Sequence, residues 1–189
     1  MMRRLALAGA VAACAALLQG CFPLAVTGVG AAAVMATDRR TTGMYVEDES
    51  IEWKALARLR EDNRGAHVNA TSFNRRVLLT GQAPTEAEKK RIEDVVRAIP
   101  NVREVVNELD VAGASSLASR GNDAIVTSNV KARMVNNGRF SPTHVKVVTE
   151  SGVVYLMGLV HNVEADAAVD IARTTSGVGR VVKVFEYIR

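Results

Sequence analysis

Cysteine is scarce in this chain, which has two cysteines, Cys14 and Cys21, among its 189 residues. Cys14 lies in an apolar run that an export signal would take away, so the mature chain would keep Cys21 alone and could form no internal disulfide. Histidine is also scarce, and none of the three histidines has a second histidine or a carboxylate at metal-ligand spacing. The sequence therefore predicts neither a disulfide framework nor a metal site.

Motifs that mark the common enzyme classes are missing as well. The serines lack a G-x-S-x-G context, no P-loop occurs, and the glycines of "TGVGAAA" follow no strand, as a dinucleotide-binding motif would require. The net positive charge is small, because the formal charge of +4 falls to +2 once Arg3 and Arg4 leave with an export signal. We predict a protein without catalytic residues or a cofactor, and without nucleic acid as a partner.

No apolar run reaches the roughly 20 residues that a membrane-spanning helix needs. The most apolar run, Leu5–Leu18, follows two arginines and carries no charge. A basic start, a short apolar core and small residues at its end are typical of an export signal. We predict a signal peptide over residues 1–20.

The residues around Cys21 explain why this run ends on a thiol. Leu18-Gln19-Gly20-Cys21 resembles the lipobox of bacterial lipoproteins, in which the signal is cut before the cysteine and acyl chains such as palmitate are attached to it. Each buried methylene contributes about 0.8 kcal/mol, so two or three chains anchor a protein stably. We predict that Cys21 is lipidated; an ordinary signal peptide with a chance cysteine is the alternative.

The segment after Cys21 predicts a tether and a location. Residues 22–36 are small and apolar with interrupting glycines, and the segment that follows is polar, so we predict a tether over residues 21–43. Phe22 stands where an aspartate commonly retains lipoproteins in the inner membrane. The sequence therefore favours an outer-membrane anchor with the folded domains in the periplasm.

The rest of the chain contains an internal duplication. "VLLTG" at 77–81 and "VYLMG" at 154–158 stand 77 residues apart, as do His67-Val68 and His144-Val145. A helical pattern follows each strand pair. After it comes a similar segment in each copy, "REVVNELDV" in the first and "RVVKVFEYI" in the second. We predict one domain over residues 44–111, a linker over 112–120 and a second domain over 121–189.

The spacing of apolar residues in each copy predicts the order helix–strand–strand–helix–strand. Apolar residues four apart predict helices over 50–61 and 122–136, the second capped by Asn122 or Asp123. Hairpins are predicted around Asn74-Arg75 and Glu150-Gly152, and further helices over 84–99 and 163–176. The sequence thus predicts an α+β fold, with two three-stranded mixed sheets that each carry two helices on one face.

This order, the glycine that ends each second strand and the paired copies resemble the BON domain family. The resemblance also covers the lipobox, "ATDRRTTG", "LLTGQAP", "GND" and "VKVVTESGVVYLMGLV". It implies that the first helix of the second domain contacts anionic phospholipid such as phosphatidylglycerol. The membrane-facing tryptophan of such relatives would fall on Ile125 here, while Trp53 is expected in core or inter-domain packing.

The residues of the second copy point to the same helix. Residues 113–189 carry 9 Lys/Arg against 6 Asp/Glu, whereas residues 44–112 carry 11 against 13. The helix side opposite Val126, Val130 and Met134 is apolar and bordered by cations, which is typical of an interfacial helix on anionic membrane. The predicted phospholipid-binding residues are Ile125, Ser128, Lys131, Ala132, Arg133, Val135, Arg139 and Phe140. Packing of this face on the first domain is the structural alternative.

The predicted function is therefore that of a non-enzymatic, lipid-anchored envelope protein that binds anionic phospholipid and supports outer-membrane integrity. The family resemblance further implies enrichment at division sites and a link to the outer-membrane assembly machinery. The alternatives are a periplasmic protein–protein scaffold that uses the same helix face and a chaperone-like factor that binds unfolded proteins.

Overall fold

Residues 38–61 and 66–189 are described by the computed structural model. The predicted signal peptide, Cys21 and most of the predicted tether lie outside the described residues. Within them, no helix combines the length and the apolar character that crossing a membrane requires. The elements in chain order are α1 (Thr42–Glu61), β1 (His67–Phe73), β2 (Arg76–Ala83), α2 (Glu86–Arg97), β3 (Glu104–Asn107), β4 (Asp110–Val111), α3 (Leu117–Val135), a 3-10 turn (Pro142–His144), β5 (Val145–Glu150), β6 (Val153–Val160), α4 (Asn162–Arg173) and β7 (Arg180–Tyr187).

Both predicted hairpins are present and are closed by two-residue turns. Phe73 pairs with Arg76 across Asn74-Arg75, and Glu150 pairs with Val153 across Ser151-Gly152. The turn residues all have positive φ, at 54° and 63° in the first turn and 51° and 74° in the second. Positive φ at both central positions is the conformation that matches the twist of the flanking strands.

The third strand of each domain runs parallel to the second, which makes both sheets mixed, as predicted. β7 pairs with β6 over its whole length. In the first domain the third strand is split into β3 and β4, which both pair in parallel with β2. The interruption includes Leu109, which is 1% exposed because its side chain packs into the domain core.

Each sheet has one face covered by the two helices of its own domain, as the sequence predicts. The buried core of the first domain comprises Ile51, Ala55, Val77, Leu79, Ala83, Ile92, Val96, Ile99 and Leu109. The core of the second comprises Val126, Val130, Met134, Val145, Val147, Val154, Leu156, Val160, Ala165, Ala168, Ile171, Ala172 and Phe185. The helix stripes of the sequence therefore lie where their spacing places them.

The opposite faces of the two sheets pack against each other. Phe73 and Leu78 of the first domain form one buried cluster with Tyr155, Met157 and Val184 of the second. Because side chains alternate across a strand, the neighbours of Leu78 point back into the first domain's own core. Both domains thus belong to a single compact unit in which the sheets are the inner layers.

Polar side chains also cross this interface. Lys146 Nζ lies 2.7 Å from Glu52 Oε1, and Arg103 lies 2.5 Å from Glu186. Arg76 donates from Nη1 to the carbonyl of Phe185 at 3.1 Å. These contacts fix the two sheets relative to each other at their edges.

The glycine predicted to end each second strand lies two residues before the end of β2 in the first domain and of β6 in the second, and a close backbone approach requires it. A Cβ at Gly81 would lie 2.0 Å from the carbonyl oxygen of His67, and a Cβ at Gly158 would lie 2.2 Å from that of His144. No side chain fits at such distances, and Gly81 also has a φ of 113°. The recurrence of "LLTG" and "YLMG" in the sequence therefore reflects the same close approach of a neighbouring backbone carbonyl in both domains.

Candidate lipid-binding surface

The candidate helix, α3, begins earlier than the sequence predicted. It starts at Leu117, where the Ser116 hydroxyl caps it by accepting from the backbone N–H of Ser119 at 3.1 Å. The predicted cap at Asn122 or Asp123 is wrong, because the Asp123 carboxylate instead accepts from the backbone N–H groups of Ser151 and Gly152. The consecutive serines before Leu117 were the signal for the earlier start.

The side of α3 that faces away from its sheet is apolar and open to solvent. We call Ile125, Ser128, Ala132 and Val135 the outer face of α3. All four are exposed, with Ile125 at 61% and Val135 at 64%. Packing of this face on the first domain, the structural alternative, does not occur, because the two domains meet through their sheets.

Leu117 extends the exposed apolar surface and was missed from the sequence. Its side chain is 82% exposed. Leu117 stands 18 residues before Val135, which is five helical turns, so the two residues lie on the same side of α3. The omission follows from placing the helix start at residue 122.

Lys131 is the cation that is best placed beside the outer face. Partial desolvation of its ammonium, together with the positive charge of Lys146, lowers the pKa of Lys131. Lys146 is paired with Glu52, whereas the ion pairs within the described residues include none for Lys131. A negatively charged group bound at this position would relieve the repulsion between the two ammonium groups.

Arg133 and Arg139, the two predicted arginines, differ in the contacts that their side chains make within the protein. Arg133 donates to the carbonyl of Ile171 at 2.8 Å and to the hydroxyls of Thr175 and Thr174 at 2.6 and 3.0 Å. Its guanidinium therefore holds α3 against the end of α4. The side chain of Arg139 is exposed and forms no ion pair within the described residues. Arg139 is thus the better candidate for a headgroup contact.

Phe140 was predicted to stand in for the missing interfacial tryptophan. Its ring is partly buried and packs against the core of the second domain. The preceding turn is fixed by Asn137, whose Oδ1 accepts from the backbone N–H groups of Arg139 and Phe140 at 2.6 and 3.2 Å. This packing leaves Ile125 and Val135 as the more accessible apolar contacts.

A shallow hollow of about 200 Å³ adjoins the end of the outer face. Its lining residues are Lys131, Met134, Val135, Pro142, Thr143 and Val145. The lining is mostly apolar with one lysine at its rim. Such a hollow can take part of an acyl chain or a headgroup while the lysine stays near a phosphate.

Trp53 does not lie in a core or between the domains, so that expectation is wrong. It is 59% exposed on α1 of the first domain. Ile51 and Ala55 face the core of that domain, and Trp53 lies on the opposite side of the helix. The chain thus has one exposed tryptophan, but on the first helix of the first domain.

Two of the three histidines take structural positions in the second domain. His144 Nδ1 lies 3.4 Å from Glu164 Oε1, and His161 Nδ1 lies 3.1 Å from the carbonyl of Ile188. Both side chains are partly buried at one end of the second domain. Residues 38–61 and 66–189 contain no group of three or more His, Cys, Asp or Glu that could hold a metal ion.

Comparison with known proteins places the two copies in one family. The BON domain matches residues 47–113 and 122–189. Outer membrane lipoprotein DolP of Haemophilus influenzae is 41% identical over 174 residues, which cover 90% of this chain and 90% of that protein. The 21 kDa hemolysin of Actinobacillus pleuropneumoniae is 32% identical over 155 residues, or 80% of each chain. Osmotically-inducible protein Y of Escherichia coli is 29% identical over 144 residues, 74% of this chain and 72% of that protein.

The two matches coincide with the two αββαβ copies that the sequence period and the sheet topology define independently. The second match includes most of α3 and all of its outer face. The resemblance stated from the residues is therefore confirmed. This chain belongs to the BON domain family and carries two BON domains in tandem.

Proposed function

We propose that this protein is a lipoprotein, anchored in the outer membrane by acylated Cys21, whose second BON domain binds anionic phospholipid through the outer face of α3. Its domains lie in the periplasm, and it supports outer-membrane integrity without catalysing a reaction. The lipobox-like sequence before Cys21 and the similarity to a protein named outer membrane lipoprotein support the anchor.

One observation carries the lipid-binding part of the proposal. Ile125 and Val135 are each about three-fifths exposed on a helix whose other side is fully buried in the domain core. Burial of such side chains contributes up to about 1.5–3 kcal/mol each, and each nearby cation adds about 1 kcal/mol on an anionic surface. These magnitudes suit weak, reversible contact by a protein that its acyl chains already hold at the membrane.

Vesicle flotation of the unacylated chain of residues 38–189 tests this proposal. We expect binding to vesicles that contain phosphatidylglycerol and not to vesicles of phosphatidylcholine alone. Ile125→Glu and Lys131→Glu should each weaken binding about tenfold, since a tenfold change corresponds to about 1.4 kcal/mol. Val111→Glu is the matched control, because Val111 is 45% exposed in the first domain and is not part of the outer face of α3.

The same experiment separates the proposal from its rivals. Absence of flotation for the parent chain would favour the protein–protein scaffold, in which the outer face binds an envelope protein. Unchanged flotation of both Ile125→Glu and Lys131→Glu would remove α3 as the lipid-binding surface. Binding of an unfolded client irrespective of lipid charge would favour the chaperone-like role. The link to outer-membrane assembly and to division sites follows from the resemblance and requires its own test in cells.

A further inference from the structure

A lysine of the second domain reaches across to the first domain beside the candidate lipid-binding helix. Lys146 Nζ lies 2.7 Å from Glu52 Oε1 and donates to the carbonyl of Ser72 at 3.2 Å. Glu52 lies on α1 and Ser72 on β1, both in the first domain. The carboxylate of Glu52 is held in place, because Oε1 also accepts from the backbone N–H of Ser72 at 2.7 Å. We call Lys146, Glu52 and Ser72 the interdomain bridge.

Lys146 keeps one donor that the interdomain bridge does not use. An ammonium group carries three N–H donors, and Glu52 and Ser72 accept from two of those of Lys146. The side chain of Lys146 is 31% exposed and that of Glu52 is 25% exposed, so the pair is open to solvent. A further acceptor can therefore approach Lys146 without displacing Glu52.

The strand that carries Lys146 lies at an edge of its sheet. The order of that sheet is β5–β6–β7, so one side of β5 has no neighbouring strand within the sheet. Side chains alternate along β5, so Val145 and Val147 point into the core that α3 covers, whereas Lys146 points toward the first domain. Lys146 therefore lies where an open strand edge, α3 and the first domain meet.

Lys131 of α3 lies beside the same edge. The hydroxyl of Thr127 donates to that of Thr149, near the end of β5, at 2.7 Å. One turn later in α3, Lys131 lines a hollow together with Val145, the residue that precedes Lys146 at the start of β5. The helix and the strand therefore run antiparallel, with Lys131 next to the start of β5. Desolvation and the positive charge of Lys146 both lower the pKa of Lys131, and the second effect agrees with this proximity.

The charges at this position do not balance. Within the part of the chain that the structure describes, Lys131 forms no ion pair, and Glu52 is the one carboxylate paired with Lys146. Two cations therefore face one anion. The phosphate of an anionic phospholipid carries one negative charge and accepts strong hydrogen bonds from ammonium groups. Bound between Lys131 and Lys146, it would balance the charges and relieve the repulsion between the two lysines.

The outer face of α3 places a lipid next to these two cations. Val135 is 64% exposed and lines the same hollow as Lys131, about one helical turn away. A phospholipid with an acyl chain against Val135 can therefore have its phosphate within reach of Lys131. Lys146 was not among the predicted lipid-binding residues, because it lies on β5 and not on α3.

We propose that Lys146 is a second cation, beside Lys131, that binds the phosphate of the lipid, and that Glu52 weakens this site by partly neutralising Lys146. This inference rests on the proposed function, because its ligand is the anionic phospholipid that the outer face of α3 binds. It adds a role for the first domain, whose carboxylate sets how strongly the second domain holds the lipid.

Vesicle flotation of the unacylated chain of residues 38–189, which contains both domain cores, tests the two roles. On vesicles containing phosphatidylglycerol, Lys146→Gln should weaken binding about fivefold, the effect of losing one cation near an anionic surface. Glu52→Gln should strengthen binding about threefold, because Lys146 then keeps its full charge. Lys183→Gln and Glu86→Gln are the matched controls, since they make the same changes of net charge at exposed positions outside the interdomain bridge. Both controls should bind within about 1.5-fold of the parent chain, because salt screens distant charges.

The variant that combines Glu52→Gln with Lys146→Gln separates attenuation of Lys146 from simple repulsion between Glu52 and the membrane. If Glu52 acts through Lys146, Glu52→Gln should have almost no effect once Lys146 is replaced. An equal gain from Glu52→Gln with and without Lys146 would overturn the role of Glu52. Unchanged binding of Lys146→Gln would overturn the role of Lys146.

Two further measurements guard against a change of fold in Lys146→Gln. Lys146→Arg keeps the positive charge and should bind within about twofold of the parent chain. In the parent chain itself, the side-chain NMR signals of Lys146 should shift with phosphatidylglycerol micelles and stay in place with inorganic phosphate at the same ionic strength. Signals of Lys146 that do not respond to the micelles would overturn the proposal without any substitution. Equal shifts with inorganic phosphate would identify an anion site that is independent of lipid and would overturn it as well.

Failure of this inference is distinguishable from failure of the proposed function. Flotation of the parent chain together with unchanged binding of Lys146→Gln would remove the inference and leave the proposed function standing. Absence of flotation for the parent chain would remove the proposed lipid binding and, with it, the role given to Lys146 and Glu52.

Discussion

Replacing Asp48 by alanine should lower the free energy of unfolding by about 3–5 kcal/mol, the range for removing one member of a buried charged network. Asp48 is 2% exposed. Its carboxylate accepts from the Ser72 hydroxyl at 2.7 Å and from the backbone N–H groups of Asn74 and Arg75 at 2.8 and 2.7 Å. It also pairs with Arg40 at 2.9 Å. The substitution would leave the hairpin turn without its acceptor and weaken the hold on the tether.

The duplication offers a matched variant in the second domain. Asp123 accepts from the backbone N–H groups of Ser151 and Gly152 at 2.8 and 2.9 Å, and the described ion pairs include none for it. Asp123→Ala removes these two hydrogen bonds and should lower the free energy of unfolding by about 1–3 kcal/mol. Urea unfolding followed by circular dichroism compares the two. A cost for Asp48→Ala no larger than that for Asp123→Ala would contradict the role given to Arg40 and Ser72.

Leu78→Ala should cost about 2–5 kcal/mol, the range for removing a buried leucine side chain beyond Cβ. Leu78 is fully buried, but its contacts belong to the cluster shared by both domains. The cavity would therefore open between the sheets, next to Tyr155 and Met157. We expect the side-chain NMR signals of those two residues to shift.

Leu79→Ala is the neighbouring control for this prediction. Leu79 is equally buried but packs in the first domain's own core. It should cost a similar free energy and leave the signals of Tyr155 and Met157 in place. Leu117→Ala, at an exposed position, should change stability by less than about 0.5 kcal/mol. If Leu78→Ala costs no more than Leu117→Ala, the sheets are not packed in solution as described.

The local elements could be predicted because each leaves a period in the sequence. The hairpin at Ser151-Gly152 and the buried stripe of α3 depend on neighbours in the chain, so alternation and four-residue spacing reveal them. The exposure of Ile125 and Val135 follows from the same spacing. Whether this face binds lipid stays a prediction, because exposure alone does not name the ligand.

The contacts between distant parts of the chain could not be predicted from the spacing of apolar residues. Leu78 and Tyr155 stand in runs that are buried on both sides, and such continuous apolar strands do indicate two covered faces. They do not indicate what covers the second face. Arg39 and Glu164 are 125 residues apart, and a single charged residue carries no sign of its partner.

Polar residues with structural roles were the hardest to interpret. Asp123 in "GND" has the sequence context of a helix cap, yet its carboxylate holds the hairpin turn of the same domain. The difference arises because α3 starts at Leu117, which moves Asp123 to a buried position in its second turn. Trp53 was misplaced because large aromatic residues are mostly buried, whereas the spacing from Ile51 points it outward.

Chemical-shift mapping of residues 38–189 with anionic and with zwitterionic micelles shows directly whether the outer face of α3 binds anionic lipid. We expect shifts at Ile125, Lys131 and Val135 that occur with the anionic micelles and vanish with the zwitterionic ones. Shifts confined to α1 around Trp53, or equal shifts with both kinds of micelle, would contradict it.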